Sequence, residues 1–534
     1  MLHTGDGMRR LSGRRVVIVG AGPGGLASAL LLARAGLHVT LIERDAQVGG
    51  RTKTVEAPGG YRFDIGPTFF LYPQILADIF QSCGERLEDH VRLERLDPQY
   101  HLVFEGKDAQ GRQGVSGEIR ATGDVARLEA EVARIAPDDA RNIKKFFAEN
   151  RTKLTFFKPV LEQAFHRFRS MASPAMLAAL PYLHPGRSVD KDLRRYFADP
   201  RVRLAFSFQT KYLGMSPFRC PSLFTILSFL EYEHGVYHPV GGCGAVSEAM
   251  AGLARRMGVD IRLNTSVERV LFEGKKAVGV VVGGETLRAD AVMINGDFAK
   301  VVPELVPEAR RPRWRDAKVA KARLSCSTFM LYLGIEGPMP AGLGHHTILL
   351  AEAYERNIRE ITEGTLPMQP SVYVQHAGFT DGGMAPPGHT ALYVLVPVPN
   401  LKAGIDWAAT RDGYRALVLE RLKLLGIENL ESRIRYERIV DPTQWRDDFA
   451  VHEGATFNLA HDLMQMLWFR PHNKFGPGLY LVGGGTHPGS GLPVIYEGAR
   501  ISARLLIEDL LGARVPASAG LPETAPLATG GEAS

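Results

Sequence analysis

Cysteine is scarce: Cys83, Cys220, Cys243 and Cys326 are spread over 534 residues. No two form a Cys-x-x-Cys pair, so neither a disulfide framework nor a zinc site is expected, and a reducing compartment is. No run of about 18 apolar residues occurs, so no segment should cross a bilayer, which leaves open one that lies on it. Residues 1–13 hold no long apolar stretch, so no secretory leader is expected. The charge excess, +6 over the whole chain, is too slight to point to nucleic acid. With 45% hydrophobic and 23% charged residues the composition is that of a globular protein. The length exceeds one ordinary core and calls for two or more domains.

What is present is concentrated near the N-terminus. Val16 to Val19 reads as a buried parallel strand. Gly20, Gly22 and Gly25 follow with G-x-G-x-x-G spacing, then a helix from Leu26 to Ala35 that Gly36 ends, then a second strand from His38 to Ile42 with Glu43 at its tip. Gly20 allows a tight turn, Gly22 lets backbone approach a pyrophosphate, and Gly25 lets helix pack on strand. The phosphates would rest on the helix N-terminus, and Glu43 would accept from a ribose. This pattern alone leaves NAD and FAD open.

Downstream stand Gly49-Gly50-Arg51-Thr52 and Asp64-Ile65-Gly66-Pro67, which resemble the extended FAD signature of the amine-oxidase-like flavoproteins. Arg51, with paired guanidinium donors, suits a pyrophosphate. A second dinucleotide-domain block runs from Gly235-Val236-Tyr237-His238-Pro239 through a helix over 245–257 to strands near 259–263, 267–271, 277–282 and 291–295. A third runs from Leu479 through Gly483-Gly484-Gly485-Thr486-His487-Pro488-Gly489 into a helix over 494–511. Between them, residues 141–203 carry 14 Lys/Arg against 5 Asp/Glu, interleaved with Phe and Leu. Such a stretch suits an anionic lipid interface, and equally an ordinary amphipathic layer with a solvated basic face. Residues 206–232 are dense in aromatics, fit for substrate walls or plain core. His345-His346 suggests a metal pair only weakly, because neighbours in a strand face opposite ways. No metal site is expected.

Together with Tyr212-Leu213-Gly214-Met215-Ser216-Pro217 and Phe469-Arg470-Pro471-His472-Asn473, these motifs resemble the bacterial-type phytoene desaturases, the carotenoid-desaturase branch of those flavoproteins. The likeness runs from Arg14 to about Leu511. It implies an α/β fold: a Rossmann-like, glutathione-reductase-like FAD-binding domain (12–100, 235–300 and 475–512), a substrate domain (101–122, 204–234 and 301–474) and a helical, basic, membrane-associating subdomain (123–203). Residues 513–534 read as a disordered tail. Motif and resemblance together place cofactor contacts at Gly20, Gly22, Gly24, Gly25, Glu43, Arg44, Gly50, Arg51, Gly66, Pro67, Val267, Gly484, Gly485 and Pro493.

The resemblance further implies FAD, a cytoplasmic enzyme peripheral on the membrane, an apolar phytoene-like polyene as substrate, and oxygen or a quinone as final acceptor; a homo-oligomer is left open. Such a hydrocarbon gives acid–base groups little to grip, so catalysis would rest on holding an allylic C–H against the flavin in a dry channel. Glu497 and His487, in the closing motif, are the candidates for a proton acceptor. A carotenoid isomerase, a carotenoid oxidase, or a desaturase of C30 diapophytoene or another carotene would keep the same cofactor motifs. An amine oxidase would want a cysteine for covalent flavin near the closing motif, and none lies there.

Overall fold

The structure, a computed structural model, describes residues 11–108, 110–184 and 186–515. The expected tail therefore lies outside the described residues from 516 on, as do residues 1–10.

The first layer is a six-stranded sheet. Its order is Asp260–Arg262, His38–Ile42, Arg15–Val19, Ala291–Ile294, Leu479–Leu481 and Lys474–Gly476, all parallel except the last. Successive residues of Arg15–Val19 feed two different cores, as a pleat of period two requires. Val16 and Ile18 pack with helices Pro23–Arg34, Cys243–Arg256 and Leu492–Leu511 through Leu26, Met250 and Ala499. Val17 points the other way, onto Val270, Val280 and Phe298. Covered on both faces, the strand reads as an unbroken apolar run. The pair expected at 267–271 and 277–282 gains a third strand, Glu285–Arg288, and forms a small antiparallel sheet over that second face.

The second layer is a seven-stranded sheet in the order Ile434–Val440, Ser327–Glu336, His389–Val398, Val372–His376, His346–Leu350, Tyr100–Lys107 and Gln113–Ala121. Only the His346–Leu350 and Tyr100–Lys107 pair is parallel. Phe329, Leu331 and Leu333 pack on helix Trp407–Leu422, while Met330 and Tyr332 turn to Tyr61 and Phe63.

Helices cap one side of the cleft between the layers. Within the stretch expected to be helical and basic, the longest helix runs Ile143–Leu161, and Phe168–Ala172 is a separate short turn. The aromatic stretch holds a helix, Thr225–His234, with Ile226, Phe229 and Tyr232 buried. Several of the basic residues counted in 141–203 are paired: Lys153 with buried Asp192, Arg151 with Glu233, Arg194 with Asp190 and Arg201 with Asp199.

A buried ion pair ties helix Trp407–Leu422 to the sheet. Arg421 Nη1 and Nη2 donate to Glu105 Oε1 and Oε2 at 2.5 and 2.7 Å. Burial alone would raise the Glu105 carboxyl, but the hydrogen bonds and charge of Arg421 outweigh it and hold the group below its ordinary value of 4.5. A carboxylate depressed in the folded state adds stability above its unfolded pKa and loses it as pH falls through the folded one. Glu105→Gln should therefore lower unfolding free energy by about 3 kcal/mol at neutral pH. The difference from the parent should shrink as pH falls below 4.5, and denaturant titrations at several pH values check it.

Candidate functional site

The carboxyl ends of the parallel strands converge at Gly20, Glu43, Asn295 and Val482, where a doubly wound sheet opens its crevice. A cavity of about 1110 Å³ begins there. Helix Pro23–Arg34 directs its N-terminus at it, with Gly22 as an N-cap that has no side-chain hydrogen bond. Helix Leu492–Leu511 does the same with Gly491. Two uncapped N-termini on one cavity favour an anion.

Asn295 makes the glycines necessary. A Cβ on Gly20 would sit 2.3 Å from Asn295 O, one on Gly22 2.9 Å from Asn295 Nδ2, and one on Gly25 2.1 Å from Gly20 O. The Asn295 amide also donates to Gly20 O at 3.1 Å. Gly50 lies on this turn, its would-be Cβ 3.6 Å from Gly22 Cα.

Arg51 projects into the cavity. Its Nη1 donates to Thr456 O at 2.8 Å. Asn458, with its amide turned to satisfy its neighbours, accepts from Arg51 Nη2 at 3.2 Å and donates to Asp297 Oδ2 at 3.0 Å. Burial lowers the Arg51 pKa and raises that of Asp297, and the two charges oppose these shifts. Glu43 Oε2 accepts from Ala21 N at 2.7 Å and Oε1 from Asp45 N at 3.0 Å, which orients the carboxylate at the cavity rim.

The segment 65–68 forms the floor, and tyrosines of the second sheet pin it. Tyr332 and Tyr393 donate to Ile65 O and Gly66 O at 2.6 and 2.7 Å, and Tyr373 Oη lies 2.5 Å from Thr68 Oγ1. Fully buried Arg470 anchors the closing loop, donating to Gly484 O at 2.6 Å and Thr486 O at 3.2 Å. Burial pulls its pKa down to about 9.

Of the expected cofactor contacts, Gly20, Gly22, Glu43, Arg44, Gly50, Arg51, Gly66, Pro67, Val267, Gly484 and Pro493 line this cavity. Gly24, Gly25 and Gly485 stand behind its wall. A Cβ on Gly24 would meet Val482 Cγ2 at 2.9 Å, and one on Gly485 would meet Phe298 Cβ at 2.6 Å, so both positions permit close packing behind the wall.

The two candidate proton acceptors stand in different places. Glu497 does not line the cavity: Val494 and Ile495 do, and two residues further along a helix is more than half a turn. Its carboxyl is buried against Arg500 Nη1 at 3.1 Å. His487 lines the cavity, yet its Nε2 donates to Gln163 O at 2.9 Å and its Nδ1 is buried without a partner. Burial drives its pKa down to about 3. It is a neutral strut between the closing loop and the helical layer.

The opposite-face argument for His345 and His346 also fails. The strand starts only at His346, and the two rings lie 4.5 Å apart. No group of three or more His, Cys, Asp or Glu among the described residues is placed to hold a metal.

Sequence reading missed Asn295, Asp297, Thr456 and Asn458. Asn295-Gly296-Asp297 follows a buried parallel strand, the same position as Gly20 and Glu43, and that was the available signal.

Beyond the floor the cavity becomes apolar, walled by Phe157, Leu161, Phe208, Leu223, Leu227 and Leu230. The near end thus suits a dinucleotide pyrophosphate and ribose, and the far end suits a long apolar molecule, the arrangement of a flavin oxidoreductase.

The comparisons agree. The profile of the family described as flavin containing amine oxidoreductase matches residues 23–507. A 4,4'-diapophytoene desaturase (4,4'-diapolycopene-forming) of Methylomonas sp is 40% identical over 92% of this chain and 95% of its own. An all-trans-zeta-carotene desaturase of Myxococcus xanthus is 39% identical over 96% of each chain. The crystal structure of an oxidoreductase from Methanosarcina mazei superposes with a TM-score of 0.61 at 17% identity, covering 91% of this chain and 98% of that one, which shows the shared fold. The chain belongs to the bacterial-type carotenoid desaturases within the flavin containing amine oxidoreductase family. Its cofactor is FAD, and the glycine cradle, the uncapped N-termini and Arg51 fit that cofactor's pyrophosphate.

Arg51→Met removes a charge-assisted donor pair from the pyrophosphate site, worth about 1.5–3 kcal/mol. The variant should fold with unchanged circular dichroism and bind FAD about 10- to 100-fold more weakly, read by flavin fluorescence titration.

Proposed function

We propose that this protein is an FAD-dependent carotenoid desaturase that converts C–C to C=C bonds in a long apolar polyene, with oxygen or a quinone as final electron acceptor. The observation that carries this reading is the single cavity running from the dinucleotide loop into an apolar lobe. The names of its relatives, desaturases of 4,4'-diapophytoene and zeta-carotene, supply the substrate class.

Bound FAD supplies a hydride acceptor. The chain itself positions the substrate and excludes water. A hydrocarbon offers no charge or hydrogen bond, so binding rests on apolar area removed from water, about 25 cal/mol per Å². Phe157, Leu161, Phe208, Leu223 and the neighbouring leucines provide that wall and hold the reacting bond near the 65–68 floor. Glu497 does not face this space, and burial holds His487, whose Nδ1 has no partner, neutral and weakly basic.

The substrate is insoluble in water, and a lipid-facing mouth answers that. A second cavity of about 1260 Å³ shares Phe157, Leu223, Met466 and Leu467 with the first. At and around its rim Phe168, Leu177, Leu180, Leu463 and Met464 are exposed, between 44% and 65%. Arg167 and Arg169 flank Phe168 in the chain, Lys191 and Arg219 line the second cavity, and none of the four has an ion pair within 4.0 Å among the described residues. Apolar side chains flanked by free cations suit an anionic bilayer. No helix among the described residues is long and apolar enough to cross a membrane, so the protein would dock on it through this patch.

Expression in hosts that accumulate phytoene or 4,4'-diapophytoene should convert the colourless hydrocarbon into pigments absorbing at longer wavelength. If both, and zeta-carotene supplied in the same way, stay untouched while the protein carries FAD, the desaturase reading fails. Leu180→Glu with Met464→Glu should weaken sedimentation with phosphatidylglycerol vesicles by about tenfold or more, since each buried apolar side chain contributes about 1.5–3 kcal/mol. Unchanged sedimentation would overturn the docking patch.

A further inference from the structure

The wall shared by the two cavities contains one charged side chain, Lys211, among Phe157, Leu223, Met466 and Leu467. Lys211 lies in the short turn Phe208–Leu213, which Gly214 closes with φ 63°. A Cβ on Gly214 would sit 2.6 Å from Ser325 Cβ and 2.9 Å from the Phe457 ring, so the turn is clamped and the lysine stem has a fixed root.

The ammonium has no carboxylate within 4.0 Å and no hydrogen-bond acceptor among the described residues. Its neighbours are the Tyr354 ring, 5.9 Å from Nζ, and the Cys326 thiol. Lys153, in the same helical layer, shows how this fold treats a structural lysine. Its Nζ donates to Asp192 at 3.0 Å, Thr225 Oγ1 at 2.8 Å and Ser222 O at 3.3 Å. Lys153 is fully matched and Lys211 is not matched at all.

Unused donors in an apolar wall oppose folding and oppose a hydrocarbon ligand alike. Leucine or methionine would serve a purely hydrocarbon channel better. Burial lowers the Lys211 pKa to about 8, which leaves the group mostly protonated at neutral pH and short of an acceptor.

We propose that Lys211 hydrogen-bonds an oxygen function, carbonyl or carboxylate, at one end of a polyene, so that the cavity takes oxygen-terminated polyenes and sets their register from that end. The inference rests on the reading of the cavity as a polyene site. The contact is non-covalent, and its task is positioning: an end held at Lys211 fixes which bond of a rod-like molecule reaches the 65–68 floor.

The test uses the flavin-loaded full chain in detergent micelles and a matched pair of probes, a polyene hydrocarbon and the same chain ending in a carboxylic acid. Binding is read from the perturbation of the flavin spectrum, and register from the position of the new double bond. The parent should bind the acid at least tenfold more tightly than the hydrocarbon. Lys211→Met should erase that preference while binding the hydrocarbon as well or better, and Lys211→Arg should retain it. Equal binding of both probes by the parent, or a preference unchanged in Lys211→Met, overturns the role of Lys211 and leaves the polyene site standing. No perturbation by either probe overturns the polyene site as well.

Discussion

The structure depends on how closely backbone approaches backbone at the carboxyl edge of the parallel sheet. The turn from Gly20 to Gly25 lies against Asn295 with no room for a side chain: a Cβ at Gly25 would fall 2.1 Å from Gly20 O. That contact brings the N-terminus of helix Pro23–Arg34 to the cavity mouth with no side-chain cap on it. Gly49 N then donates to Ala21 O at 2.8 Å, which lays the second glycine loop along the first and sets Arg51 over the same space. The polar end of the site follows from this one approach.

The two layers are joined at the floor of the cavity. Tyr332, Tyr373 and Tyr393, all from the seven-stranded sheet, reach the chain at Ile65, Gly66 and Thr68. The substrate side is thereby fixed to the cofactor side by hydrogen bonds at the cavity floor. Arg470 does the same for the closing glycines, spending its donors on main-chain carbonyls. Charge is thus used to set backbone position, and Lys211 stands among the apolar side chains of the far lobe.

Much of the dinucleotide side was legible in the sequence because its signals are local. An apolar run, three glycines, a helix and an acid at fixed spacing describe one continuous piece of chain, and eleven of the fourteen expected contacts line the cavity. What escaped is long-range or depends on phase. Arg51 meets Thr456, some four hundred positions away, and no local pattern announces that. Glu497 was misplaced because it stands in the right motif but on the wrong side of its helix. His345 and His346 were treated as strand neighbours although the strand begins between them. The aromatic stretch hid a helix, because its buried residues are spaced for a helix while their type is common to cores and channels.

The central claim is that one cavity carries electrons from an apolar polyene to FAD with no part for Glu497 as a proton acceptor. Its most direct test is anaerobic mixing of the flavin-loaded protein with a micellar polyene substrate, following the oxidised-flavin absorbance and the polyene spectrum together. The expected result is loss of oxidised flavin matched one for one by new conjugated double bonds, at a rate unchanged in Glu497→Gln. Bound polyene with the flavin still oxidised would contradict it.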